Sequence, residues 1–138
     1  MTRPAVRLRV DFGRTAAVGP GKIALLEHIA ASGSLAQAAR ELGMSYRRAW
    51  QLLGSLNDSF CEPLVDSARG GRGGGGATLT GRGRQLVRAY RRLEAEMQGR
   101  AARHFRALAG CARAVAGGPR PRPALLPRRG ARSRAAAR

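Results

Sequence analysis

The sequence predicts a mainly α fold of the winged helix-turn-helix class, with a short β-hairpin wing and a long carboxyl-terminal dimerisation helix. Residues 34–57 form two helical patterns joined at Gly43, with the small Ala39 four residues earlier where two crossing helices would touch. The glycine-rich run 70–76 then separates two short strand candidates, and a third helical pattern follows. This order of helices, strands and glycine loop is typical of a winged helix.

One strand and one helix are predicted before this region. Residues 6–12 alternate apolar and polar side chains, which predicts a strand with one apolar face. Pro20, between two glycines, interrupts the chain, and a helix is expected from there to Ser32 and Gly33. The expected apolar faces of these two elements consist of Val6, Leu8, Val10, Phe12, Ile23, Leu25, Leu26, Ile29 and Ala30.

Two serines mark where the helices of the pair begin. Ser34, with Gln37 three residues later, forms a capping-box pattern, and Ser45 is a favourable N-cap for the second helix. Apolar residues at helical spacing predict the surfaces that pack together, namely Ala38, Leu42, Met44, Ala49, Leu52, Leu53 and Leu56.

The second helix of the pair is predicted to be a recognition helix that enters the major groove of DNA. Its first turns carry residue types that reach phosphates and base edges. The predicted DNA-binding residues here are Ser45, Tyr46, Arg47, Arg48 and Gln51. Packing between helices is favoured over stacking on DNA for Trp50, the only tryptophan, whereas contact with DNA is favoured for Tyr46.

Residues 63–66 and 77–79 are the predicted strands of the wing, and Thr80 is the predicted N-cap of the next helix. Arg69 and Arg72 flank the glycines and are placed to enter a minor groove or to meet phosphates. A flexible linker is the alternative interpretation of the glycine run. A nucleotide-binding loop is disfavoured because no βαβ pattern surrounds the run and no acidic residue follows at the required distance.

The last helical pattern starts at Gly81 and carries a narrow apolar seam that suits a partner helix, formed by Leu86, Tyr90, Leu93 and Met97. We therefore expect a homodimer. The expected division of the chain is an amino-terminal strand segment at 1–18, the winged helix-turn-helix DNA-binding domain at 19–98, a helix extension at 99–116 and a disordered Arg/Pro-rich tail at 117–138.

The charge balance points to a polyanionic partner. The chain carries a net charge of +18, all 8 acidic residues lie at or before Glu96, and 11 of the 26 basic residues follow Gln98. Binding that depends on such charge weakens strongly as salt rises. Only Lys22 is a lysine, so the arginine content also fits the codon usage of a GC-rich genome, and the positions of the arginines are the better evidence.

Little in the sequence supports an enzyme, a metal site or a membrane partner. Cys61 and Cys111 lie fifty residues apart without a CxxC pattern, and His28 and His104 are isolated. No carboxylate pair or nucleophile–base set can be assembled, so we expect no catalytic residue and no cofactor. No apolar run approaches the ~20 residues of a membrane span, and a cytoplasmic protein is expected.

Residues 23–57 and 70–86 resemble the amino-terminal DNA-binding domain of the ModE family of molybdate-responsive regulators, itself related to the winged helices of LysR-type regulators. The segment SYRRAW at 45–50 and the four glycines 73–76 before A-x-L-T carry the specific part of the resemblance, which covers about residues 20–98. The resemblance implies a homodimer that reads an inverted repeat in double-stranded DNA at promoters of molybdate-transport and related genes.

The expected function is therefore that of a DNA-binding transcription regulator. The alternative is an architectural or nonspecific DNA-binding protein in which the basic tail dominates. Competition binding separates the two, because a regulator prefers its site over random duplex by roughly a thousandfold or more.

Molybdate is not an expected ligand of this chain. In the resembled family a carboxyl-terminal domain binds the oxyanion, whereas residues 99–138 offer charge without a strand pattern that could build such a domain. We expect any molybdate binding to be weak and matched by sulfate, and DNA affinity not to change when molybdate is added. Titration calorimetry at physiological salt checks this expectation, and a stoichiometric site selective for molybdate over sulfate would contradict it.

Overall fold

The computed structural model describes residues 3–67 and 76–112 of the chain. These residues are mainly helical, with two small antiparallel strand pairs and a long last helix, so the predicted winged helix-turn-helix class is confirmed. The predicted disordered tail at 117–138 lies outside the described residues. In chain order the elements are β1 (Val10–Phe12), β2 (Ala16–Val18), α1 (Pro20–Ser32), α2 (Leu35–Glu41), α3 (Tyr46–Asp58), β3 (Val65–Ser67), β4 (Ala77–Leu79), α4 (Gly81–His104) and α5 (Arg106–Ala109).

The amino-terminal strand is shorter than predicted and belongs to a hairpin. Only Val10–Phe12 forms a ladder, pairing antiparallel with β2, and Gly13 adopts a positive φ of 70° in the turn between them. Val6 and Leu8 are half-buried as the alternation predicts, but Phe12 is 46% exposed. Strand β2 is not predicted from the sequence.

Helix α1 forms the centre of the hydrophobic core. Pro20 occupies its first turn, where the fixed φ of proline is compatible with a helix, and Gly33 ends it in the left-handed conformation with φ 68°. The buried face was predicted correctly except for Ala30, which is exposed. Its fully buried side chains are Ile23, Leu25, Leu26 and Ile29.

The helix pair α2–α3 begins at the two predicted caps. The Ser34 hydroxyl oxygen accepts from the Gln37 backbone N–H at 3.2 Å, and that of Ser45 accepts from the Arg48 N–H at 3.1 Å. The reciprocal half of the capping box does not form, because the Ser34 N–H donates to the Ser32 hydroxyl oxygen and the Gln37 side-chain oxygen accepts from Arg40 instead. Gly43 makes the turn between the helices with a φ of 65°. The helices pack through small and branched side chains, namely Leu35, Ala38, Ala39, Ala49, Leu53 and Leu56.

Helix α4 starts against the base of the wing. Thr80 caps the helix by accepting from the Gly83 N–H at 3.1 Å, as predicted, and its hydroxyl donates to the Pro63 carbonyl at 2.8 Å. The Thr80 N–H donates to the Leu64 carbonyl at 2.9 Å. The helix then continues past Gly99 to His104.

The predicted apolar seam of α4 is partly covered by the protein's own amino-terminal segment. The Tyr90 hydroxyl donates to the Leu8 carbonyl at 2.8 Å, and the Gln98 amide accepts from the Val6 N–H at 2.9 Å. Tyr90 is only 3% exposed, and this burial raises the pKa of its hydroxyl. The expectation that Tyr90 is available to a partner is therefore wrong, whereas Leu93 remains 39% exposed.

Gly83 has no room for a side chain, and we predict that Gly83→Ala destabilises the fold. An added Cβ would overlap the carbonyl oxygen of Leu64 and lie 3.2 Å from its carbonyl carbon. Because both groups are backbone, relieving this overlap is expected to lower the free energy of unfolding by about 1–3 kcal/mol. Urea denaturation measures the change.

Gly81→Ala is the matched control, because nothing lies within 4 Å of a Cβ at Gly81 in the first turn of the same helix. Its unfolding free energy is expected to stay constant or rise by up to about 1 kcal/mol. Equal stability of the two variants would contradict the close approach of α4 to Leu64.

Candidate nucleic-acid interface

The predicted contact residues of the recognition helix lie together on the surface. Tyr46, Arg47, Arg48 and Gln51 are all exposed in the first turns of α3. Ser45 immediately precedes them, and although its oxygen caps the helix, its hydroxyl hydrogen can still be donated to an anion. The structure therefore brings these five residues together at one end of the helix.

The packing of α3 determines which of these side chains point outward. Ala49, Leu53 and Leu56 are buried against the core. Successive helical residues turn by about 100°, so Arg47, Gln51 and Ser55 lie on the opposite, solvent-facing side. Arg47 and Gln51 form the outward face of α3, and Ser55 lies at its edge, beside Lys22 of α1.

One flank of α3 lies beside the start of α1. The Lys22 ammonium donates to the Ala17 carbonyl at 2.8 Å and lies 3.4 Å from the Ser55 hydroxyl. Burial, followed by the nearby Arg9 guanidinium, lowers the pKa of Lys22 below its usual value. Arg48 lies on this same flank, so two cations border the helix here. Lys22 is not among the predicted site residues because nothing in its spacing relates it to α3.

Asn57 binds the other flank of α3 to the wing. Its side-chain oxygen accepts from the Leu64 N–H at 2.9 Å and the Val65 N–H at 3.3 Å, and its amide donates to the Val65 carbonyl at 3.3 Å. The recognition helix and strand β3 are therefore held in a fixed relation by one side chain. No pattern in the sequence indicates this role.

The wing begins as an antiparallel pair of strands. Val65 pairs with Leu79 and Ser67 with Ala77, and the Ala77 N–H donates to the Gly33 carbonyl at 2.9 Å. Strand β4 lies at the predicted residues, whereas β3 begins two residues later than predicted. Arg69 and Arg72, the predicted contact residues of the wing, lie outside the described residues.

Trp50 does not pack between helices, and the prediction that it does so was wrong. Its side chain is 62% exposed, and that of Tyr46 is 57% exposed. Ala49 and Leu53 already fill the core side of α3, so the neighbouring position of Trp50 turns away from the interior. Both aromatic side chains are thus part of the surface of the recognition helix.

Acidic side chains of the described residues do not neutralise the arginines of α3. Within residues 3–67 and 76–112, neither Arg47 nor Arg48 takes part in an ion pair. Glu41, the acid nearest in sequence, bonds to His28 at 2.6 Å, and hydrogen bonds from Gln37 and His28 lower its pKa. The amino-terminal end of α3 is therefore a positively charged surface that suits an anionic partner.

The described residues contain no group of three or more metal-ligating side chains. None of the helices in this part of the chain is long and apolar enough to cross a bilayer.

A helix pair with an exposed, positively charged second helix, followed by a two-stranded wing, defines a winged helix-turn-helix DNA-binding domain. Residues 21–84 match the family described as bacterial regulatory helix-turn-helix protein, lysR family.

Individual relatives give a more specific comparison than the family match. The chain is 49% identical over 77 residues to the molybdenum-pterin-binding protein MopA of Rhodobacter capsulatus. It is 46% identical over 71 residues to the DNA-binding transcriptional dual regulator ModE of Escherichia coli strain K12, and 41% identical over 97 residues to the molybdenum transport protein ModE of Azotobacter vinelandii.

These alignments cover 56%, 51% and 70% of this chain but only 29%, 27% and 36% of the three relatives, so the chain spans about a third of their length. Within that part, the chain carries a ModE-like winged helix-turn-helix domain.

We predict that Asn57→Ala lowers the free energy of unfolding by about 1–3 kcal/mol, because it leaves the partly buried Leu64 N–H without its acceptor. Asp58→Ala is the control, since the Asp58 side chain is exposed and makes no hydrogen bond to a described residue. A change within about 0.5 kcal/mol is expected there. If urea denaturation gives the same midpoint for both variants, Asn57 does not anchor the wing.

Proposed function

We propose that this chain is a transcription regulator of the ModE type that reads an inverted-repeat promoter site in double-stranded DNA as a homodimer, in the cytoplasm. The observation that carries the proposal is the exposure of Arg47 and Arg48 at the start of α3, where neither forms an ion pair with a described residue. Both project from the part of a recognition helix that reaches the major groove.

Each side of α3 has a distinct role in this proposal. Arg47 and Gln51, on the outward face, meet base edges, because arginine and glutamine have donors in the geometry that guanine and adenine present. Arg48 and Tyr46, on the two flanks, meet phosphates, and Ser45 donates its hydroxyl to a phosphate at the helix start. Arg69 and Arg72 of the wing enter the adjacent minor groove.

An apolar groove beside α4 supports the dimer. Phe12 and Phe60 meet edge to face with ring centroids 5.4 Å apart. Together with Leu64, Leu86 and Ala89 they form the apolar part of a groove of about 330 Å³, which Cys61, Glu62, Arg82 and Gln85 also line. We call this surface the α4 groove. The exposed side chain of Leu93 extends it further along the helix.

The apolar surface continues beyond the body of the domain. Phe105 is 49% exposed and Leu108 is 63% exposed, on the segment that follows the last contacts of α4 with the amino-terminal residues. Exposed apolar surface that extends over a long helix is a common sign of an interface between subunits. We propose that a second copy of the chain covers the α4 groove and this extension.

The proposed dimer explains how an inverted repeat would be read. Two identical recognition helices related by a two-fold axis enter major grooves one helical turn apart, at a separation of about 34 Å. The division into a DNA-binding domain at 19–98 and a helix extension at 99–116 belongs to this proposal, with α4 continuing across the boundary between them.

An architectural DNA-binding protein is the second candidate. The observation in its favour is that 11 of the 26 basic residues follow Gln98, outside the recognition surface. Such a protein would bind random and selected duplexes with similar affinity, whereas a regulator separates them by about a thousandfold or more.

We predict that Arg47→Ala and Arg48→Ala each weaken binding to a duplex selected from a random library by about 1–3 kcal/mol. Arg47→Ala should also relax base preference at one position of each half-site, while Arg48→Ala should weaken all duplexes alike. Fluorescence anisotropy at fixed salt provides the affinities.

The control for lost charge is Arg92→Ala combined with Arg103→Ala, because both side chains are exposed on α4 and outside the recognition helix. Its effect should be small and equal on selected and random duplexes. Unchanged affinity of a folded Arg47→Ala/Arg48→Ala variant for the selected duplex would show that α3 is not the recognition helix.

We predict that Ala89→Asp dissociates the dimer, because it buries a carboxylate in the apolar α4 groove. Ala95→Asp is the matched control, since Ala95 is also exposed on α4 but faces away from the groove. Sedimentation velocity should give a monomer for the first variant and a dimer for the second. A dimer in both cases would place the interface elsewhere.

A further inference from the structure

We infer that Trp50 determines specificity by contacting the C5-methyl group of a thymine in the major groove. This inference rests on the proposed function, since it requires α3 to enter that groove. The observation behind it is that the indole is 62% exposed on a helix whose core side is already complete.

The position of Trp50 relative to the wing follows from the helix geometry. Tyr46, Trp50 and Asn57 are four and seven residues apart, a spacing that places them in one row along α3. Asn57 bonds to Leu64 and Val65, so this row faces the wing strand β3. Trp50 therefore lies between the outward face of α3 and the wing, and Tyr46 is its neighbour in the row.

Neither interior packing nor the proposed dimer surface accounts for the exposed indole. Its exposure excludes interior packing. The proposed dimer surface uses Phe12, Leu93, Phe105 and Leu108, which lie on the amino-terminal hairpin, on α4 and in the segment after α4. Among the described residues, Tyr46 and Trp50 are the exposed large apolar side chains of α3, so they form a separate surface.

The chemistry of the groove identifies the contact. Tryptophan has a single N–H donor and a large apolar ring, so it is poorly suited to recognise a base edge through hydrogen bonds. The thymine methyl is the apolar group that the major groove presents, and apolar side chains recognise it. Arg47 and Gln51 lie beside Trp50 on the helix and would read polar edges of adjacent bases.

The size of the effect follows from the burial of one methyl group. Removing it from an apolar contact changes affinity by about 0.8 kcal/mol, which corresponds to about fourfold. A site with one such thymine in each half-site would lose about 16-fold when both methyl groups are removed, if the two half-sites contribute equally.

The test uses the duplex that the wild-type protein selects from a random library. Each thymine is replaced in turn by 2′-deoxyuridine, which lacks only the methyl group, in both half-sites together. We expect one thymine position at which the wild type loses affinity by about 10–20-fold, while Trp50→Ala binds thymine and uracil duplexes equally. Trp50→Phe should retain part of the discrimination.

Tyr46→Phe and Ala95→Asp are the controls. The first removes only the hydroxyl that is proposed to meet a phosphate and keeps the ring beside Trp50, and the second changes an exposed residue of α4 outside both α3 and the α4 groove. Tyr46→Phe should weaken both duplexes alike, and both variants should keep the wild-type ratio between the affinities for thymine and uracil duplexes. Because Trp50 is the only tryptophan, its fluorescence should also change when the selected duplex is added.

Each result that contradicts the Trp50 inference has its own interpretation. If Trp50→Ala loses affinity but keeps the discrimination, the indole contacts sugar or phosphate and the inference is wrong. Absence of any methyl-sensitive position, or unchanged fluorescence on binding, would also overturn it. If the wild type selects no sequence at all, the proposed function itself is wrong. This result can be told apart from failure of the Trp50 inference, because it is obtained with the wild type before any Trp50 variant is tested.

Discussion

The burial of helix α1 is the constraint on which the rest of the structure depends. Its side chains Ile23, Leu25, Leu26 and Ile29 are fully buried, and α2, α3, α4 and β4 all pack against it. The buried side chains of residues 3–67 and 76–112 are apolar apart from Tyr90, whose hydroxyl is hydrogen-bonded. Because such a core has no place for charge, the cations of α3 must lie at the surface.

Side-chain to backbone hydrogen bonds orient the elements that the core alone does not fix. Asn57 binds the start of β3 to α3, and Thr80 binds the start of α4 to Pro63. Tyr90 and Gln98 bind the amino-terminal segment along α4. These bonds join segments that are short or extended and bury little apolar surface, so a single polar side chain has a large influence on their position.

The helix starts could be predicted from the sequence because they depend on interactions between residues close together in the chain. The caps at Ser34, Ser45 and Thr80 follow from residues within one turn of each helix. The burial of Tyr90 depends instead on the distant Leu8, which periodicity does not reveal. Strand β2 pairs with the neighbouring β1, but its three residues Ala16–Val18 are too short to show an alternating pattern. The exposure of Trp50 was missed because adjacent positions on a helix differ by about 100°, and one residue decides between core and surface.

The two proposed surfaces, the recognition helix α3 and the α4 groove, have different roles in DNA binding. In the proposed function, residues of α3 contact bases, whereas the α4 groove determines how two copies are related. The two are connected through Asn57, Leu64 and Thr80, because α3 binds the start of β3 and Leu64 also accepts from the residue just before α4. In the proposed dimer, a change at this junction therefore alters the distance between recognition helices, and so the preferred spacing of half-sites, while the bases read within each half-site stay the same.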